Sequence, residues 1–159
     1  MAKIKFEEFV REIIVLIDSR EKKIEHITKV FDSQKIKYQT EKLEVGDYSF
    51  TLRDKRSNCI IERKNSLDEL SQNFTSGRER FKREFERLTA NNKCHLLIEN
   101  NSLDDIIYGN YRSEIHRNSF LASLLSFEYR YNINVHFISN KYTAFFITKL
   151  FYYFTLKTN

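Results

Sequence analysis

A near-continuous apolar run close to the amino terminus, from Glu12 to Ile17, constrains the fold of this chain more than any other segment. Aliphatic residues follow one another there without a polar interruption, and the run stops at Asp18. Neighbouring side chains of a strand point to opposite faces of a sheet, so a strand that is apolar at successive positions is buried on both faces. The segment therefore predicts a central β-strand covered by helices.

The rest of the chain alternates between strand and helix patterns. Glu21 to Phe31 carries apolar residues at helical spacing, so a helix should follow the first strand. The pattern further predicts strands at Lys37–Val45, Tyr48–Leu52, Cys59–Arg63, Cys94–Ile98 and Ile133–Ile138, and helices at Ser66–Phe74, Ser76–Ala90, Asn118–Tyr131 and Tyr142–Leu156. The order β-α-β-β-β-α-α-β-α-β-α predicts an α/β fold, a mixed sheet flanked by helices, in one domain spanning residues 1–159.

Composition limits the partners that such a domain can have. The chain carries 27 Lys and Arg against 22 Asp and Glu, a net charge of +5 that suits a nucleic-acid partner. No apolar run approaches the roughly 20 residues of a membrane span. The amino terminus, Met1 to Glu8, has acidic residues where a signal peptide needs an apolar stretch. We therefore expect a cytoplasmic protein without a membrane partner.

Charged residues at the end of a predicted strand indicate where chemistry takes place. Glu62 and Lys64 are two positions apart on one strand, so their side chains point to the same face, whereas Arg63 points away. Asp47 lies upstream, in a turn after Gly46. Carboxylate oxygens are the ligands that a hard cation such as Mg²⁺ prefers, and an ammonium group beside them can orient water or a phosphate oxygen. The spacing indicates a metal-dependent phosphodiesterase.

Each of these acidic residues also has a structural interpretation. Asp47 follows a glycine and can stabilise the turn through its side chain. Glu62 can lie at a solvated strand edge. The combination with Lys64 on one strand face, and with Asp18 at the end of a buried strand, favours the catalytic interpretation.

The same residues resemble a known family. Gly46-Asp47-Tyr48, then Glu62-Arg63-Lys64, then three residues and Asp68, is similar to the G-D-x(n)-E-R-K-x(3)-D signature of the XPF-type nucleases, which cut branched DNA. The segments that extend this resemblance are Ile17-Asp18-Ser19-Arg20-Glu21, Leu43-Glu44-Val45, Ser76-Gly77-Arg78 and Leu96-Leu97-Ile98-Glu99. The chain resembles the nuclease domain alone, with a core at about residues 13–156 and no helix-hairpin-helix domain.

The resemblance implies a restriction-endonuclease-like fold and hydrolysis of DNA phosphodiesters with Mg²⁺ or Mn²⁺. By position in the motif, the implied metal ligands are Asp18, Asp47 and Glu62, and Lys64 is implied to act on the water or the phosphate. Arg20, Arg63 and Asp68 are implied to support the site and its DNA.

The helix that begins near Ser76 carries the best candidates for DNA contact. A helix N-terminus at Gly77 offers backbone amides to a phosphate, and Arg78 adds a bidentate donor. Arg80, Arg83 and Arg87 follow on one face of this helix. That face is either a phosphate contact or a solvated surface balanced by neighbouring glutamates.

The last predicted helix, Tyr142 to Leu156, is apolar around nearly its whole circumference. Such a helix must be buried on more than one side, either within an ordinary core or against a second subunit. XPF-type nuclease domains are similar in pairing through their C-terminal helices, so we expect a homodimer.

Three functions are compatible with the sequence. The first is an endonuclease acting on branched or flapped DNA in repair, recombination or phage DNA processing, in a bacterial or phage-infected cell. The second is a catalytically silent DNA-binding or scaffolding subunit of a nuclease complex, although the complete motif argues against silence. The third keeps the fold but cleaves RNA or unbranched DNA.

Overall fold

The computed structural model describes residues 4–158, so the two ends of the predicted 1–159 domain, with Met1 to Lys3 of the amino-terminal segment, lie outside the described residues. The chain divides into two compact units. Unit 1 takes in the residues up to Ile60 and those from Asn140 onwards, and unit 2 is Ile61–Ser139. A single domain stays a prediction.

Seven strands and seven α-helices make up the described chain. In order they are α1 (Phe6–Glu12), β1 (Ile13–Asp18), α2 (Glu25–Ser33), β2 (Lys37–Glu41), β3 (Tyr48–Leu52), β4 (Lys55–Arg56), β5 (Cys59–Lys64), α3 (Leu67–Phe74), α4 (Arg78–Thr89), β6 (Lys93–Glu99), α5 (Leu103–Tyr108), α6 (Arg117–Tyr131), β7 (Asn134–Ile138) and α7 (Thr143–Thr158). A 3₁₀ turn at Asn140–Tyr142 precedes α7.

The strands form a mixed sheet, as the sequence predicted. Their order is β2-β1-β3-β5-β6-β7, with β4 paired to β3. Strand β1 runs parallel to β2 and antiparallel to β3, and β6 runs parallel to β7. The apolar run is a central strand, since Val15, Leu16 and Ile17 have no solvent exposure.

In unit 1, helices α1 and α2 pack against α7. Phe151 of α7 packs on Phe50 of β3, with ring centroids 4.6 Å apart. The buried side of α7 carries Thr143, Ala144, Ile147, Thr148, Phe151 and Thr155. The other side is not covered within the described chain, since Phe145 is 52% exposed and Tyr153 is 60% exposed.

In unit 2, an aromatic cluster holds α3, α4 and α6 together. Phe74, Phe81, Phe85 and Phe127 meet at centroid distances between 4.6 and 5.8 Å. Aromatic pairs at such distances add to the free energy of burial. The cluster therefore fixes the position of the N-terminus of α4 relative to α3.

The observed elements differ from the predicted ones in three places. Helices α1 and α5 were not predicted, because each has only seven or six residues and shows little periodicity. The predicted strand Lys37–Val45 ends at Glu41, because the backbone N–H of Leu43 donates to the Asp18 carboxylate (2.8 Å). Helix α5 ends at Gly109, whose left-handed φ of 73° agrees with the predicted turn.

A buried ion pair joins β5 to β6 within unit 2. Arg63 Nη1 lies 2.8 Å from Glu99 Oε2, and the two side chains are 2% and 1% exposed. Removing one partner of such a pair leaves a buried charge without compensation, which is far more costly than losing an exposed ion pair. The pair therefore fixes the register of the strand that carries Glu62 and Lys64.

Two histidines meet on neighbouring strands of unit 2. His95 Nδ1 of β6 lies 2.9 Å from His136 Nε2 of β7, and the rings stack with centroids 5.2 Å apart. Burial lowers the pKa of His95 to about 4, and the His136 ring and Lys93 lower it further in the same direction. Burial and Lys93 also lower the pKa of His136.

We expect the histidine pair to make folding sensitive to mild acid. A histidine whose folded pKa is depressed binds protons preferentially in the unfolded chain, so its contribution to stability is present above pH 6.5 and is lost as the pH falls towards 4. The free energy of unfolding should decrease by about 2–3 kcal/mol over that window. Urea unfolding at several pH values measures this. Replacing His95→Gln should flatten the pH dependence, whereas the control His26→Gln on α2 should not.

We also expect the Arg63–Glu99 pair to govern the stability of unit 2. Glu99→Leu should lower the free energy of unfolding by about 3–5 kcal/mol, because the Arg63 guanidinium stays buried without its partner. The double variant Arg63→Met with Glu99→Leu should recover part of this loss. Chemical denaturation of both variants measures the difference, and equal losses would contradict a charge-based origin.

Candidate active site

The predicted site residues divide between the two units. Unit 1 contains Asp18, Arg20 and Asp47, and unit 2 contains the rest. The members of unit 2 are Glu62, Arg63, Lys64, Asp68, Gly77, Arg78 and Arg80.

In unit 1, Asp18 ends β1 and is 2% exposed. Its Oδ1 accepts hydrogen bonds from the backbone N–H (2.8 Å) and Nε (2.7 Å) of Arg20. Its Oδ2 accepts from Arg20 Nη2 (2.9 Å) and from the backbone N–H of Leu43 (2.8 Å). Both oxygens of this carboxylate are therefore engaged by the polypeptide.

The hydrogen bonds determine the charge state of Asp18. Burial alone would raise the pKa of the carboxyl group, but the bonds from Arg20 and Leu43 outweigh burial and lower the pKa. Asp18 is therefore an anion that holds Arg20 and the segment after β2 in place. The guanidinium side of the bond stays accessible, since the Arg20 side chain is 63% exposed.

The turn before β3 places Asp47 beside Asp18. The backbone N–H of Asp18 donates to the carbonyl oxygen of Asp47 (2.8 Å). Gly46 makes this turn with a φ of 71°, a conformation that side chains with a Cβ rarely adopt. On the following strand, the Tyr48 hydroxyl donates to Glu21 Oε2 (2.9 Å). Unit 1 thus brings together Asp18, Asp47 and Glu21, which the sequence had singled out as acidic residues at strand ends.

In unit 2, Glu62 and Lys64 form a buried ion pair at the end of β5. Lys64 Nζ lies 2.8 Å from Glu62 Oε1, and the side chains are 9% and 4% exposed. The two side chains share a face of the strand, while Arg63 between them pairs with Glu99. The i and i+2 arrangement therefore has the geometry that the sequence predicted.

Two further groups surround the Lys64 ammonium. Glu69 Oε1 lies 4.0 Å from Nζ, and the centroid of the Phe81 ring lies 5.3 Å from it. A cation in contact with two carboxylates and an aromatic face keeps its charge in spite of burial. Glu69 was not predicted as a site residue. It also accepts from the backbone N–H of Asn65 (3.0 Å), while Ser66 Oγ caps α3 by accepting from the N–H of Glu69 (3.2 Å).

Asp68 in the first turn of α3 does not contact the Glu62–Lys64 pair among the described contacts. Its Oδ1 accepts a hydrogen bond from the backbone N–H of Arg112 (2.8 Å). Asp68 therefore anchors the loop between α5 and α6 to the helix that follows the motif.

The predicted DNA-contact residues on α4 have different surroundings. The N–H of Gly77 donates to the Gln72 carbonyl oxygen (2.9 Å), and a Cβ at Gly77 would lie 3.1 Å from that oxygen. Arg78 donates to Ser123 Oγ (2.9 Å), and its guanidinium lies 5.8 Å from the centroid of the Phe127 ring. Arg78 therefore ties α4 to α6, whereas Arg80 is exposed.

A polar cleft of about 540 Å³ lies in unit 2 beside this turn. Its lining includes Lys64, Asn73, Arg80 and Arg87. Arg83 is not part of the lining, so the arginine face predicted for this helix is split by its surroundings. Sequence reasoning missed Asn73. The available signal was a polar residue three positions after Leu70, on the side of α3 that is otherwise buried.

Within residues 4–158, no group of three or more His, Cys, Asp or Glu side chains is arranged to hold a metal ion. The predicted ligand set of Asp18, Asp47 and Glu62 stays a prediction. In the same part of the chain, no helix has both the length and the apolar character that crossing a bilayer requires.

Comparisons with known proteins agree with this arrangement. A family model described as the ERCC4 domain matches residues 17–150. No curated protein sequence matches the chain. Two solved structures share the fold with a TM-score of 0.67 each.

The first of these structures is XPF from Aeropyrum pernix, which is 23% identical over 87% of this chain and 59% of that chain. The second is XPF from Aeropyrum pernix in complex with DNA, which is 20% identical over 92% of this chain and 66% of that chain. This chain thus spans less than two thirds of each. The family match covers most of its length and includes every predicted catalytic residue, so the chain belongs to the ERCC4 domain family.

Proposed function

We propose that this chain is a metal-dependent endonuclease that hydrolyses phosphodiester bonds in branched or flapped DNA. The observation that carries the proposal is the Glu62–Lys64 pair, two ionised groups 2.8 Å apart that stay buried at the end of β5. Burying such a pair gains little stability over apolar residues of the same size. A catalytic role explains why the strand carries it.

Lys64 supplies a positive charge at a defined position. Glu62, Glu69 and Phe81 hold its ammonium group, so little reorganisation is needed when negative charge develops on a phosphate. In a site with little water, such a charge interacts more strongly with a transition state than it would in solvent. Lys64 thus stabilises the phosphate or orients the attacking water.

The residues of the motif suit a divalent ion by their chemistry. Asp47 and Glu62 carry the hard oxygen donors that Mg²⁺ and Mn²⁺ bind, and one or two carboxylates suffice for Mg²⁺. When bound, the ion would generate a nucleophilic hydroxide near neutral pH and neutralise charge on the phosphate. Asp18 could join this set only by giving up one of its hydrogen bonds from Arg20 or Leu43. In the proposal, Asp18 mainly positions Asp47 and Arg20.

Four residues are proposed to contact the DNA backbone. Arg20 presents an exposed guanidinium that Asp18 orients, and Arg80 is exposed on the first turn of α4. Gly77 lets the chain turn closely into α4, and Arg78 holds that helix against α6. The complex of an XPF protein with DNA supports this assignment.

The proposed enzyme acts as a homodimer through α7. Phe145 and Tyr153 on this helix are more than half exposed, although α7 packs against α1 and α2 with its other side. A row of exposed aromatic residues on a helix favours a protein interface. The proposed setting is DNA repair, recombination or phage DNA processing in the cytoplasm of a bacterial or phage-infected cell.

We expect Glu62→Gln to abolish cleavage without abolishing DNA binding. The substitution keeps the size of the side chain but removes the charge that holds Lys64 and the proposed metal ion, so the cleavage rate should fall by at least about 100-fold. Cleavage of labelled fork, flap, four-way-junction and duplex DNA with Mg²⁺, Mn²⁺ or EDTA measures this.

The control for that experiment is Glu86→Gln, an exposed glutamate on α4. It makes the same chemical change away from the site and should leave the rate unchanged. If the unmodified protein shifts branched DNA but cuts none of the substrates with either metal, the chain is a silent binding subunit and the nuclease proposal fails.

We expect the double variant Phe145→Ser and Tyr153→Ser to dissociate the dimer. Removing two aromatic side chains from the centre of an interface should raise the Kd of the dimer at least about tenfold. Sedimentation velocity over a concentration series measures this change. The matched control is Tyr129→Ser, which removes an exposed aromatic residue from α6. Dissociation by the control alone would place the interface on unit 2 instead.

A further inference from the structure

The polar cleft of unit 2 has features of a binding site that the catalytic motif does not explain. It lies beside α3 and the first turns of α4, and Lys64 forms part of its lining. The other lining residues that matter here are Asn73, Gly77, Arg80 and Arg87, together with Glu69 and Glu84. Cations outnumber acidic residues in this set, so an anionic ligand is favoured.

Asn73 provides the first independent indication of a ligand. Its side chain is 9% exposed, and its Oδ1 atom is buried without a hydrogen-bond donor among the described residues. A buried acceptor without a donor destabilises the folded state, and such groups are uncommon in native proteins. An aliphatic residue at this position would match Leu67, Leu70 and Phe74 on the same helix. A donor supplied by a ligand explains why the chain keeps an amide there.

The arginines provide the second indication. Within residues 4–158, the guanidinium groups of Arg80 and Arg87 form no ion pair or hydrogen bond, in contrast to that of Arg78. Helix α4 begins at Gly77 without a side-chain cap, so amides of its first turn also face outward. Unpaired guanidinium groups beside an uncapped helix N-terminus are suited to a phosphate.

We propose that this cleft binds one nucleotide of the DNA strand, next to the phosphate that is cleaved. Arg80, Arg87 and the first turn of α4 bind its backbone phosphate, and Asn73 Oδ1 accepts a hydrogen bond from an N–H group of its base. The position next to the scissile phosphate follows from Lys64, which belongs both to the cleft and to the catalytic motif. This inference rests on the proposed function, because it assigns the catalytic role to Lys64.

The base contact makes a prediction that a purely structural asparagine does not. Asn73→Leu should weaken binding of a 12-residue oligo(dC) by about 3- to 10-fold, as expected for one lost hydrogen bond. The same variant should bind an abasic deoxyribose-phosphate oligomer of equal length as tightly as the unmodified protein does. It should also unfold at a higher temperature, because leucine removes a buried acceptor without a donor. Fluorescence anisotropy in EDTA and thermal unfolding measure these effects.

The phosphate contact has its own matched pair of variants. Arg87→Ala should reduce the slope of log K against log salt concentration by about one unit, as expected for one lost phosphate contact. Arg83→Ala makes the same change of charge on the same helix, outside the cleft, and should reduce the slope less. Equal slopes for the two variants would overturn the proposed phosphate contact.

The outcomes separate this inference from the proposed nuclease activity. Equal losses by Asn73→Leu on oligo(dC) and the abasic oligomer, or no loss on either, overturn the nucleotide site even if the protein cuts DNA. A loss confined to oligo(dC) supports the site in a metal-free assay, even if cleavage is never detected.

Discussion

Three consecutive charged residues are buried at the end of β5, and the rest of unit 2 depends on how their charges are compensated. Arg63 points to one face of the strand and pairs with Glu99 of β6. Glu62 and Lys64 point to the other face and pair with each other. Because a lone buried charge is far more costly than a paired one, each partner must lie close to its counterpart. The fold therefore imposes the geometry that the proposed chemistry needs.

Unit 1 uses the same principle with a single carboxylate. Asp18 accepts hydrogen bonds from Arg20, two residues away, and from Leu43, twenty-five residues away. These bonds end β2 at Glu41 and bring the turn at Asp47 alongside β1. An acidic residue at the end of a buried strand is thus a structural anchor as well as part of the family signature. Its lowered pKa is a consequence of that anchoring.

The cleft beside α4 illustrates a conflict between stability and binding. Asn73 keeps a polar acceptor on the side of α3 that is otherwise buried, and Arg80 and Arg87 keep their guanidinium groups unpaired within the described chain. Each feature lowers stability slightly and has no compensating contact in the fold. Functional sites commonly show such departures from local consistency. Arg78, by contrast, has the same charge but serves packing against Ser123 and Phe127.

The sequence by itself determined the mixed α/β sheet, the buried central strand and the shared face of Glu62 and Lys64, because apolar periodicity and the two-residue repeat of a strand are local properties. It also contained the family signature from Asp18 to Asp68. Only the tertiary structure decided which charges meet. The pairing of Arg63 with Glu99, the contact of Asp68 with Arg112 and the stacking of His95 on His136 join residues between 36 and 44 positions apart. Such contacts depend on how elements pack, which local patterns do not encode.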